Sequence, residues 1–186
     1  MASTALAWRA KRAIGAMFFT VFGGVWFALW ARFTFAAPMP AYVPVALVTL
    51  GLLACVYRVY AVNQPALDAE KTSPAGARQS RLFHIVNAGQ WVLILVVGNV
   101  LANLGRSDLV VPAAMFIIGA HFLPLARIFS YAPHFITGAA LMVIALLCPR
   151  LNSWGGLGPL GYFAAGAILW ASAVWAVKPR SERTNG

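Results

Sequence analysis

Six stretches of this 186-residue chain contain no Asp, Glu, Lys or Arg: 13–31, 33–57, 82–105, 109–126, 128–149 and 151–177. A helix that crosses a bilayer needs roughly 17–25 apolar residues at a rise of about 1.5 Å each. Lipid offers no hydrogen-bond partner to the backbone, so only helices or closed barrels can span it. The expectation is an all-α polytopic membrane protein, a six-transmembrane-helix bundle. Its helices are expected at about 14–31, 43–60, 82–104, 109–126, 135–148 and 162–177, with a cytoplasmic loop over 61–81 and a single transmembrane domain over 1–186. The composition agrees: 61% hydrophobic and 10% charged, against about 25% charged in soluble domains.

The net charge of +10 would suit a nucleic-acid binder, but its placement does not. The basic residues gather at the ends of the apolar runs, which is the pattern of membrane topology. Six spans put both termini on one side. With that side cytoplasmic, it holds Arg9, Lys11, Arg12, Arg58, Lys71, Arg78, Arg81, Arg127, Lys178, Arg180 and Arg183, leaving Arg32, Arg106 and Arg150 outside. The excess of basic residues sets the orientation. The apolar run after Arg12 is longer than the h-region of a signal peptide, about 7–15 residues, and Ala36-Ala37 is followed by Pro38. The first helix is therefore expected to stay uncleaved.

Prolines and glycines punctuate the runs. Pro38, Pro40 and Pro44 mark a loop after helix 1, and the Gly155–Gly161 cluster marks one after helix 5. The segment 63–81 is rich in Ala, Pro, Ser and Gln without apolar periodicity, hence the expected loop. Trp26 and Trp30 sit where an interfacial belt would. Ala167 and Ala171 give helix 6 a small-residue face. Pro124 in helix 4 removes a backbone donor one turn from Ala120 and should bend the helix.

Polar chemistry is densest in Gly119-Ala-His121-Phe-Leu-Pro124-Leu-Ala-Arg127-Ile-Phe-Ser-Tyr131-Ala-Pro133-His134. All three histidines fall towards the cytoplasmic half, on three different helices. His84 is roughly 4–5 Å beyond Arg81, and His121 lies roughly 9 Å deeper than Arg127. Asn87 and Gln90 follow His84 at spacings of three. A polar side chain facing lipid is costly, so these residues should face the bundle interior or the headgroups. The sharper reading is a polar cavity open to the cytoplasm, lined by His84, Asn87, Gln90, His121, Arg127 and His134. The plainer one leaves His84 and His134 at the interface, lets Asn87 and Gln90 bridge helices, and has Arg127 snorkel to the headgroups.

Metal and cofactor are left unknown. Three histidines would suit zinc or a bis-histidine haem, but no membrane segment supplies a carboxylate to orient a ligand or act as base. The same absence removes a carboxylate proton relay. Cys55 and Cys148 form no CxxC pair, the chain has no GxSxG elbow, and Gly155-Gly156-Leu-Gly158 lacks the ending of a phosphate loop.

The Gly119-x-His121-Phe-Leu-Pro124-Leu-Ala-Arg127 run, followed by Tyr131 and Thr137-Gly138-Ala139, resembles that of a family of small bacterial multi-helix membrane proteins of uncharacterised function. The resemblance implies a bacterial inner-membrane protein and brings no activity or substrate with it. The preferred function is binding or translocating a small solute or lipid through the cytoplasm-facing cavity. The alternatives are a membrane-embedded enzyme or haem/metal protein using His84, His121 and His134, and a structural or accessory subunit. Expected partners are the lipid bilayer and the ligand, with no nucleic acid; the small-residue faces admit a homo-oligomer.

Overall fold

Hydrophobic runs of this length, with every backbone group paired internally, fold as helices, and six are seen. The computed structural model describes residues 2–35, 39–71, 73–152 and 156–178. They form α1 (Ala2–Thr34), α2 (Tyr42–Lys71), α3 (Pro74–Asn103), α4 (Val110–Ile128), α5 (Pro133–Leu151) and α6 (Gly158–Val177), with single 3-10 turns at Met39–Ala41 and Ser107–Leu109. No strand occurs among the described residues, and all six helices are long and apolar enough to cross a membrane. The chain is an all-α six-helix bundle. Pro38, the Ser153–Gly155 part of the second loop and the basic tail with Arg180 and Arg183 lie outside the described residues.

The expected loop at 61–81 is instead the ends of two helices. α2 continues through Pro65 to Lys71, and α3 starts at Pro74. Ser73 caps α3, its hydroxyl accepting from the Gly76 amide at 3.1 Å, while proline in the first turn gives up no needed donor. Polar residues there are carried on exposed helix faces. One stripe still packs: Val56, Asn63 and Leu67 are buried at helical spacing. α5 and α6 likewise begin earlier than expected, each with proline in its first turn.

Packing is uneven. α1 lies against α2 and α6 along its length, α4 against α5 and α3, and α5 against α6 joins the two groups. Around the bundle the order is α2, α1, α6, α5, α4, α3. α2 and α3, though consecutive, barely touch, and few residues of their apolar spans are buried. Trp26, expected in an interfacial belt, is buried with its ring 5.9 Å from that of Tyr162, because α6 covers this side of α1.

Two crossings fix the interior. At the first, the Trp170 indole donates to the Thr20 carbonyl at 3.0 Å, tying α6 to α1. At the second, α4 and α5 meet backbone to backbone. A Cβ on Gly119 would fall 2.7 Å from the Gly138 carbonyl oxygen, and one on Gly138 would fall 2.5 Å from that of Gly119. Only glycine permits that approach.

Candidate functional site: a buried polar cluster at the basic end

The end of α4 is built to turn a tyrosine inward. Ser130 adopts φ 48°, the Ser130 amide donates to the Arg127 carbonyl, and the Tyr131 amide donates to that of Ala126. This pair of bonds around a left-handed residue is the Schellman arrangement that ends helices and folds the following residue back. Tyr131 is consequently 7% exposed. Pro133 then opens α5, and His134 follows one residue later.

Rings from three helices gather there. His134 lies edge-on to Tyr131 at 4.9 Å, 5.6 Å from Phe122 and 5.7 Å from Phe19 of α1; Phe19 and Phe122 are 5.3 Å apart. His121 neighbours Phe122 at 5.0 Å, and the two imidazoles are electrostatic neighbours. Arg12 sits over Tyr131, its guanidinium carbon 5.1 Å from the ring centre.

The register of α3 brings a fourth helix to this level. Gly98 lies against Val110, Phe83 against Phe129, and the Gln79 amide donates to the Ile128 carbonyl at 2.8 Å. On two antiparallel helices those three contacts place Gln90 opposite 118–122, level with His121. Gln90 is the buried residue of α3.

These side chains share one property. Both ring nitrogens of His121, Nδ1 of His134, the Tyr131 hydroxyl, Oε1 of Gln90 and Nε of Arg12 are buried without a hydrogen-bond partner. The Ile118 carbonyl approaches His121 without completing a bond. A buried polar atom left unpaired costs about 1–3 kcal/mol, so these atoms at one end of the bundle call for a partner from outside the chain, such as water or a ligand.

The polar residues singled out in the sequence divide accordingly. His121, His134 and Gln90 fall in or level with the cluster. Asn87 is half-buried one turn away on α3. His84 is exposed, on a shallow surface of α3 with Ser80 and Arg81, and Arg127 is exposed too. The three histidines therefore do not converge. Among the described residues no three His, Cys, Asp or Glu are placed to hold a metal ion. Both cysteines are free thiols.

Three residues escaped the sequence reading. In the sequence Arg12 is one more topogenic charge, and Tyr131 is part of the Gly119–His134 stretch with no role of its own. Gln79 fell in the presumed loop, yet it links the Lys11 ammonium, 2.9 Å from its Oε1, to the end of α4. The strongest available signal was Ser130-Tyr131 just after a helix, a turn that can bury its second residue.

Comparison with protein-family models, with curated proteins and with solved structures finds no match to this chain. At the opposite end, a cleft of about 270 Å³ is lined by Phe33, Asp108 and Tyr162 among others, but Asp108 there is already paired with Arg106 at 3.4 Å. The basic end carries the unsatisfied chemistry.

Proposed function

We propose that this chain is a multi-pass protein of the bacterial inner membrane, with both termini cytoplasmic, that binds a small solute or lipid between the cytoplasmic halves of α1, α3, α4 and α5. One observation carries the reading. His121 is half-buried, but both its imidazole nitrogens are buried and free of hydrogen-bond partners, on the same α4/α5 crossing as the unpaired nitrogen of His134 and level with the unpaired carboxamide oxygen of Gln90. Imidazole nitrogens supply a donor and an acceptor, and the Gln90 oxygen supplies a second acceptor. Phe19 and Phe122 add apolar walls, the usual composition of a small-molecule site: aromatic lining with a few convergent polar groups. The membrane assignment follows from the six apolar helices. The orientation follows from the basic ends, and the bacterial inner membrane from the resemblance of the Gly119–Arg127 run.

Of the six cavity candidates, the proposed site keeps His121, His134 and Gln90. His84 and Arg127, both exposed, have no part in it. The test is thermal melting of the purified full chain against a panel of small carboxylates, phosphates, amines and lipids. A ligand that raises the melting temperature of the natural protein should bind His121→Ala and Gln90→Leu at least about tenfold more weakly, about 1.4 kcal/mol. His84→Ala should bind it as the natural protein does. Equal ligand-induced shifts in all three variants would remove the site and leave an accessory subunit as the better reading.

A further inference from the structure

The cluster holds a permanent cation whose surroundings give it a task. Arg12 lies on α1 about 10 Å below Phe19 along the helix axis, at the basic end of the bundle. One of its terminal nitrogens donates to the Trp175 carbonyl at 3.1 Å, an oxygen of the last turn of α6 that has no partner within its own helix. Its face lies on Tyr131. Its Nε is buried and unpartnered. Among the described residues no carboxylate pairs with it.

Tyr131 and His134 complete the setting. The Tyr131 hydroxyl and His134 Nδ1 are both buried and unpartnered, on rings 4.9 Å apart. A guanidinium N–H, a phenol O–H and an imidazole nitrogen able to carry a proton are thus gathered at the basic end of the bundle, with no acid paired to them among the described residues. Taking a cation partly out of water without an opposing charge is unfavourable. Hydrogen bonds from such donors to an ionised oxygen are shorter and roughly twice as strong as those between neutral groups. Arginine also presents its donors in a planar fork suited to carboxylate and phosphate.

We propose that Arg12, Tyr131 and His134 hold an anionic group, a phosphate or carboxylate, at the cytoplasmic mouth of the site. The rest of that ligand extends past Phe122 towards His121 and Gln90. This rests on the binding reading above and adds the charge of the ligand to it. The same chemistry could come from a lipid headgroup or from a soluble anion.

The experiment uses the purified full chain in neutral detergent. Melting is followed with inorganic phosphate in one arm, short-chain phosphatidylglycerol in a second and the matching phosphatidylcholine as control. Phosphate or phosphatidylglycerol should raise the melting temperature more than phosphatidylcholine does. Action by phosphate marks a soluble anion, and action by phosphatidylglycerol alone marks a headgroup. Arg12→Gln and Tyr131→Phe should each weaken that response at least tenfold. Tyr131→Phe keeps the ring against His134 and removes only the hydroxyl, so it decides the matter if Arg12→Gln loosens α6 too far to fold. No shift from either anion in the natural protein, or undiminished shifts in these variants, would overturn the anion site. A ligand that needs His121 and Gln90 but ignores Arg12→Gln would overturn it while leaving the binding reading intact.

Discussion

Ser130 shows how much of the site hangs on one backbone angle. Its φ of 48° puts an L side chain in the left-handed region, at a cost of roughly 1–2 kcal/mol. Glycine would avoid that cost but lose more freedom on folding, roughly 0.5–1 kcal/mol. Ser130→Gly should therefore stabilise the protein by about 0.5 kcal/mol, read as a small rise in melting temperature, and leave ligand binding unchanged. A fall in melting temperature would mean that the turn is not left-handed, and Tyr131 would then have no reason to fold inward. Nothing in the identity of Tyr131 announces its burial. An aromatic residue at a helix end in a membrane protein is ordinarily interfacial, and the Schellman bonds reverse that expectation here.

At the scale of the helices, the crossing of α4 and α5 holds His121 and His134 near each other. Gly119→Ala would place a Cβ 2.7 Å from both the Gly138 oxygen and Met142 Cγ. Overpacking of this kind costs about 1–3 kcal/mol, and the displacement should weaken ligand binding as well. Gly89→Ala on α3 is the contrast, since a Cβ there meets nothing within 4 Å. It should be neutral or stabilising by up to about 1 kcal/mol, the helix-propensity gain. Comparable melting temperatures for the two variants would contradict the close crossing. Both glycines sit in apolar runs and look alike in the sequence; only the neighbouring helix distinguishes them. The same holds for the polar end of α2. It reads as loop because only Asn63 and Leu67 of the buried stripe fall within 61–81 and one of them is an asparagine, and their burial depends on α1 packing beside them.

For the molecule as a whole, the inner ends of α1, α3, α4 and α6 are tied together by Lys11 to Gln79, Gln79 to Ile128, and Arg12 to Trp175. The proposed orientation puts this end in the cytoplasm. A reporter fused after Gly186 should be active in the cytoplasm and one inserted at Gly105 outside it; the reverse pattern would turn the site to the other compartment. The number of spans, the helical class and the basic end were all legible in the residues, because burial in lipid imposes length, apolarity and charge placement on each segment separately. The site was legible only in part. His121, His134 and Gln90 stood out as polar groups in apolar runs, but so did His84, which the fold leaves exposed on α3. Which polar residues meet depends on helix order, rotation and register. These follow from Gly119 against Gly138, Trp170 on Thr20 and Gln79 at the end of α4, contacts between segments far apart in the chain, whose pairing no local pattern encodes.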